Sequence, residues 1–250
     1  MRLTRVYVAE ALAGRDELAL SRDTAAHLTR VLRLDVGDEL RAFDGLGGEY
    51  TATIAAVDRQ GARIRLGQHH AVERESPLRV TLLQGIARGE KMDTIVQKAT
   101  ELGVSRIVPF TALRSSVRLD ADTLPRKRAH WLAVAISACE QCGRNRLPEI
   151  AAPVSLVEAV AGGTASLRLL LAAAGGESLT RLLQAAPDPA QHGVRLLIGP
   201  EGGLDESEEQ AALAAGYSAC LLGPRVLRTE TAPLAALAAL QTLAGDFTNV

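Results

Sequence analysis

Two segments near the C-terminus combine residue types that can recognise a ligand through the main chain. They are Leu197-Ile198-Gly199-Pro200-Glu201-Gly202-Gly203 and Leu222-Gly223-Pro224-Arg225-Val226-Leu227-Arg228-Thr229-Glu230-Thr231. Glycine lets a ligand approach the backbone closely, and proline fixes φ while withholding an amide proton. Each segment follows a short apolar run, 194–198 and 219–222, and each leads into a helical pattern. The Gly-Pro pairs stand 24 positions apart, a spacing that suits a strand–helix–strand crossover. That crossover puts both loops on one edge of a parallel sheet, where open α/β sheets bind their ligands. The residues predict a pocket whose backbone groups recognise a nucleoside-sized molecule.

Competing chemistries lack parts. The loop at 199–203 is not followed by the Gly-Lys-Ser/Thr of a phosphate loop, nor is it Gly-x-Gly-x-x-Gly. A dinucleotide site also expects an acidic residue near the end of the next strand, which here reads Cys220-Leu221-Leu222-Gly223. Cys139-x-x-Cys142 has no second cysteine pair and no paired histidines to complete a structural zinc site. It falls at the end of a predicted helix, whereas a redox thiolate is stabilised at the start of one. No metal is expected, and His69 and His70 are given no catalytic part.

The positioning elements follow from pattern. Strands are predicted at 5–8, 39–43, 49–57 and 62–66, with Asp44-Gly45-Leu46-Gly47-Gly48 as a hairpin connection. A helix capped by Asp23 would place Leu28, Val31 and Leu32 on its inner face, with His27, Arg30 and Arg33 opposite. A polar stretch ending at Pro77 marks a boundary: a first domain at 1–70, a linker at 71–77 and a second domain at 78–250. From 78 onward strands and helices alternate, which indicates a parallel α/β sheet. Strands are predicted at 78–83, 106–110, 167–172, 194–198 and 219–222. Helices are predicted at 89–102, 122–141 and 231–244, the first two closed by Gly103 and Gly143.

With 250 residues, 47% hydrophobic and 23% charged, there is ample material for a core. No apolar run reaches the roughly 18 residues of a membrane span. The N-terminus has no signal-like stretch and the chain has three cysteines, so the cytoplasm is the expected compartment. The net charge of -1 conceals an asymmetry: -1 over 1–75, +5 over 76–150 and -5 over 151–250. Of 28 basic residues 25 are arginine, whose fork suits phosphate and base edges, although a GC-rich coding sequence gives the same preference. The basic middle third points toward a polyanionic partner.

The segments 196–203 and 221–231 resemble the C-terminal signature of the RsmE-type SPOUT methyltransferases. The resemblance runs along nearly the whole chain. It includes Arg30-Val31-Leu32-Arg33, Phe43-Asp44-Gly45, Gly89-Glu90-Lys91-Met92, Gln97-Lys98, Glu101-Leu102-Gly103 and Ala138-Cys139-Glu140-Gln141-Cys142-Gly143-Arg144. One departure is Ala172-Ala173, where the family tends to carry a polar pair.

The resemblance implies an α/β fold in which a PUA-like β-barrel, an RNA-binding module, precedes a SPOUT domain with a parallel sheet and a trefoil knot. It implies S-adenosylmethionine-dependent methylation of N3 of one uridine in small-subunit (16S) ribosomal RNA, by a homodimer that needs no metal or membrane. The cofactor residues implied are Leu171, Ile198, Gly199, Glu201, Gly202, Leu222, Gly223, Val226, Leu227, Arg228, Thr231 and Ala232. Arg228 would stabilise negative charge on the uracil oxygens, and Glu201 or Glu230 would accept the proton or fix Arg228. Arg2, Arg5, Arg30 and Arg33, with Lys91, Arg114, Arg118 and Arg144, would contact RNA. Alternatives are a SPOUT enzyme acting on another RNA or atom, a non-catalytic RNA-binding or ribosome-assembly protein, and a nucleotide-binding regulator.

Overall fold

The computed structural model describes residues 3–59, 61–115 and 122–247. Contacts divide the chain into two compact units, Met1–Glu75 with Cys139–Leu147, and Ser76–Ala138 with Pro148–Val250. Residues 72–75 are held by the distant segment 143–146. Asn145 Nδ2 donates to Val72 O (2.5 Å), Arg146 Nε to Glu73 Oε2 (2.9 Å) and Arg74 Nη1 to Gly143 O (2.9 Å). Arg144 Nε donates to Glu75 Oε1 at 3.1 Å. These partners stand about seventy residues apart in the chain.

The first unit contains β1 (Thr4–Tyr7), β2 (Glu17–Ala19), α1 (Arg22–Ala26), β3 (Glu39–Phe43), β4 (Glu49–Asp58) and β5 (Gly61–His70). Its sheet runs β1-β3-β4-β5-β2 around a core that includes Val6, Leu12, Leu40, Ile54 and Ile64. The helix differs from expectation in two ways. Ser21, not Asp23, is the cap, its Oγ accepting from Thr24 N at 3.2 Å. A π-turn follows at His27–Val31, closed by Leu32 N donating to His27 O. The wider turn breaks the i, i+3, i+4 stripe. Leu28 is therefore buried, while Val31 and Leu32 stand 66% and 41% exposed.

The second unit supplies β6 (Val80–Gly85), α2 (Glu90–Glu101), β7 (Arg106–Thr111) and most of α3 (Leu124–Cys142). There follow β8 (Glu149–Ile150), β9 (Val154–Ser155), α4 (Leu156–Ala161), β10 (Leu167–Leu171), β11 (Glu177–Ser178), α5 (Leu179–Ala185) and α6 (Pro189–His192). The chain closes with β12 (Val194–Ile198), α7 (Glu206–Ala214), β13 (Ser218–Leu221) and α8 (Ala232–Ala244). The sheet is parallel throughout, in the order β11-β13-β10-β12-β6-β7-β8 with β9 beside β7.

Side chains alternate across the sheet. Leu82, Leu196 and Leu169 pack with α2, α8 and Trp131 of α3, while Leu83, Leu197 and Leu170 pack with α4 and α7. With both faces covered, the strands become continuous apolar runs, which is why 194–198 was legible as a strand. Among the described residues no helix is long and apolar enough to cross a membrane.

Candidate functional site

The two Gly-Pro loops leave the ends of β12 and β13. Both strands pair in parallel with β10, through Leu170↔Leu197 on one side and Leu170↔Ala219 on the other. Parallel pairing puts both loops, and the end of β10 between them, on the same sheet edge. There they enclose a cavity of about 570 Å³, within the ~300–1,000 Å³ typical of small-molecule sites.

A buried hydrogen-bond chain fixes the loops to each other. Thr229 Oγ1 donates to Gly199 O at 2.8 Å and accepts from Gln84 Nε2 at 3.2 Å. Gln84, at the end of β6, is fully buried, and its amide also donates to Gly85 O. Beneath the first loop Gly85 is required by space, since a Cβ there would stand 2.5 Å from Pro200 Cδ and 2.8 Å from Gly199 C. Elsewhere the backbone borders emptiness. At Gly223 (φ +105°) a Cβ would meet only Arg225 Nη2 at 3.9 Å, and at Gly203 nothing within 4 Å. These open glycines, both lining the cavity, suit a ligand that lies against main chain.

Of the residues expected to hold the cofactor, Leu171, Ile198, Gly199, Glu201, Gly202, Leu222, Gly223, Val226, Leu227, Arg228 and Ala232 line this cavity. Thr231 does not; it is the exposed residue before α8 and makes no side-chain cap. Ala172 and Ala173 do line it, and so do Leu170, Pro200, Leu204 and Thr229, which the sequence reading omitted. For Gln84 a signal existed: it is the one polar residue in the run Leu82-Leu83-Gln84, and a buried amide needs partners.

Lys91, expected to contact phosphate, instead lies in the cavity wall between the two carboxylates considered for catalysis. Its Nζ is 3.2 Å from Glu230 Oε2 and 3.6 Å from Glu201 Oε1. Glu201 Oε1 also accepts from Arg88 N at 3.0 Å. Glu230 is held below the ordinary carboxylate value of 4.5, first by its own backbone amide, then by Lys91 and Arg228. A depressed carboxylate keeps its ion pair above that ordinary value and loses it only as pH falls through the lower, folded one. Glu230 therefore remains the anionic partner of Lys91 as pH falls to the ordinary carboxylate value. Glu230→Gln is expected to leave the pKa of any acid limb above pH 5 in the pH–rate profile unmoved. An acid limb near neutrality that disappears in this variant would contradict the assignment.

The arginines sort differently from expectation. Arg30 and Arg33 are exposed, and Arg114 lines the cavity. Arg5 is not available for phosphate: its side chain is 6% exposed, paired with Glu49 and bonded to Asn145 Oδ1 at 2.6 Å. Arg144 is likewise withdrawn, 4% exposed with Nη2 held by Glu75 Oε2 at 2.5 Å. Both were read as surface charges because their carboxylate partners are remote in sequence. Arg2 and Arg118 lie outside the described residues. The Cys139 thiol is pushed up, first by its hydrogen bond with Cys142 and then by burial, which keeps it protonated and unreactive.

Comparison with known proteins places this geometry. Residues 74–241 match the model of an RNA methyltransferase domain, and residues 20–67 that of an RNA methyltransferase PUA domain. The chain belongs to the RNA methyltransferase family. Among relatives of this RNA methyltransferase, the ribosomal RNA small subunit methyltransferase E of Buchnera aphidicola (subsp. Schizaphis graminum) is 32% identical over 98% of both chains. The Bacillus subtilis protein of the same name is 31% identical over 98% of this chain and 97% of its own. A solved methyltransferase from Legionella pneumophila, in complex with the cofactor SAM, superposes with a TM-score of 0.93. It is 38% identical, over 99% of this chain and 100% of that one. The small subunit methyltransferase E of Neisseria gonorrhoeae, bound to S-adenosylmethionine, gives 0.89 at 36% identity, over 98% and 100%. The methyltransferase fold, with its PUA unit at the N-terminal side, is thus the expected one.

Proposed function

We propose that this RNA methyltransferase uses S-adenosylmethionine to methylate N3 of one uridine in small-subunit ribosomal RNA. The observation that carries the reading is the convergence of both Gly-Pro loops on one cavity, with Lys91 and Arg228 in its wall. Relatives named for small-subunit ribosomal RNA, and neighbours solved with S-adenosylmethionine bound, support it.

The cofactor supplies a methyl group carried on a sulfonium, so the protein contributes position more than acid–base power. Main-chain groups of 199–203 and 222–228 hold the nucleoside part, and Leu171, Ile198, Leu222 and Leu227 wall it with apolar surface. Uracil N3 is buried in a Watson–Crick edge, so the target base is taken unpaired or flipped out. As N3 loses its proton, negative charge spreads to O2 and O4, and Arg228 stabilises it. Glu230 is held below the ordinary carboxylate value with Lys91 at 3.2 Å, and it serves to hold that lysine. That leaves Glu201 to take the proton.

The domain at 1–70 acts as the RNA-binding module and the domain at 78–250 as the catalytic one, joined around 71–77. The Thr229–Gly199 tie is consistent with a C-terminal segment threaded as a trefoil knot. Leu243 and Phe247, 46% and 47% exposed at the end of α8, are apolar surface that a second copy would cover in a homodimer. The work is done in the cytoplasm, where ribosomal RNA is found, without a metal.

Methyl transfer from labelled cofactor into small ribosomal subunits, with mapping of the modified nucleotide, tests the reading. Label at N3 of a single uridine is expected. Label in another RNA, or cofactor binding without transfer, would replace it with another substrate or an assembly role. Charge reversal of both Arg30 and Arg33 is expected to weaken RNA binding by roughly tenfold or more at moderate salt. Cofactor affinity stays intact; equal loss of both affinities would mean misfolding instead.

A further inference from the structure

A second cavity, of about 240 Å³, opens beside the first turn of α2. Its floor is apolar, made by Ile86, Met92 and Trp131, each no more than 2% exposed. Its rim is polar, made by Glu90 and Asp93 of α2 with Lys127 and His130 of α3. His130 Nε2 stands 2.9 Å from Asp93 Oδ2. An ionised carboxylate only accepts, so the imidazole donates and takes one of the roughly four acceptor sites that a carboxylate offers. The backbone at Gly89, with φ +52°, borders open space at the same cavity.

The two cavities share one strand-to-helix connection. Ile86 and Gly89 line the second, while Arg88 N bonds Glu201 and Lys91 reaches both carboxylates of the first. Both cavities therefore stand beside the connection that leaves β6, one of them holding the reacting groups. Lys127, at the exposed start of α3, lines the second cavity, with the exposed Arg126 before it in the chain, while Arg128 Nε donates to Ile150 O at 2.8 Å. A lysine at the rim of an apolar-floored cavity suits a nucleotide, with phosphate on Lys127 and base in the cavity.

We propose that this second cavity holds the base of a nucleotide adjoining the target in the RNA, and that Asp93 reads an exocyclic amine on it. A carboxylate accepts from the amine of cytosine, adenine or guanine and rejects uracil, which presents carbonyl oxygen there. The inference rests on the proposed reaction, because a flanking base is defined only by its target. It adds a sequence-reading site to an enzyme whose first cavity selects cofactor and target base.

The test uses the full chain and a small-subunit RNA fragment whose target neighbours are replaced singly by amine-free analogues. These are uridine for cytidine, inosine for guanosine and purine riboside for adenosine. Wild-type protein is expected to show a KM raised about tenfold for one such fragment. Asp93→Ala is expected to show that KM with the native fragment and to discriminate no longer, with kcat within about twofold and S-adenosylhomocysteine affinity unchanged. Lys127→Ala, an exposed change that cannot disturb the core, is expected to raise KM for all fragments alike. Wild-type protein that methylates every fragment with the same KM overturns the inference alone. So does Asp93→Ala with an unaltered KM, or one that dissociates a dimer while keeping its discrimination, since a second copy then fills the cavity. Wild-type protein that methylates no small-subunit RNA overturns the proposed reaction, and this inference with it.

Discussion

Arg228→Ala is expected to lower kcat by about 10²–10³-fold, the usual loss when one donor to a developing oxyanion is removed. Arg228 lines the main cavity, and its charge is among those that depress Glu230. Its backbone carbonyl accepts from both Thr231 N and Ala232 N, so the main chain at this point is fixed by the start of α8. Truncating the side chain therefore removes a positive charge without freeing the loop. In the proposed reaction the charge it opposes exists fully only once N3 has lost its proton, so the loss is expected on kcat and kcat/KM together. S-adenosylhomocysteine titration by calorimetry should give wild-type affinity within a fewfold. A variant that kept its turnover but bound cofactor poorly would make Arg228 a cofactor contact and remove it from the chemistry.

Gly85→Ala is expected to have the second largest effect, on both binding and stability. The added carbon would stand 2.5 Å from Pro200 Cδ and 2.8 Å from Gly199 C, well inside contact distance. Neither neighbour can yield easily, because Gly199 O is held by Thr229 and Thr229 by the buried Gln84. The first Gly-Pro loop must move as a body. Overpacking of this kind costs about 1–3 kcal/mol, and each kcal/mol lowers Tm by roughly 2–4 °C in a chain of this size. A displacement near 1 Å at a site that works by positioning costs about 10²-fold in rate. Scanning calorimetry with and without S-adenosylhomocysteine reads both parts, since ligand stabilisation shrinks with lost affinity. Retention of Tm and of the ligand-induced shift would show that the loop is not fixed as described.

What the sequence disclosed follows from the range of the forces involved. The strand at 194–198 and the helix ends at Gly103 and Gly143 were readable because apolar runs and left-handed glycines are local signals. The pairing of the two Gly-Pro loops was readable for the same reason, as strand ends repeated at a crossover spacing. The π-turn at 27–31 was not, because no residue pattern distinguishes it from an ordinary helix and the burial of Leu28 with exposure of Val31 emerges only in the folded unit. The three-residue β2 carries too few side chains for a period to show. Arg5, Lys91 and Arg144 were read by charge alone. Their partners Glu49, Glu230 and Glu75 stand 44, 139 and 69 positions away, where only the fold could bring them. Cavity membership was thus legible for the two Gly-Pro loops, Arg228 included, while the ion pairs of Arg5, Lys91 and Arg144 were not.

The decisive measurement is a calorimetric titration of the wild-type chain with S-adenosylhomocysteine. Both Gly-Pro loops shape one cavity, so saturable binding at one site per chain is predicted, abolished or greatly weakened in Gly85→Ala. A folded wild-type chain that gives no binding at millimolar ligand would contradict a cofactor seat at the ends of β12 and β13.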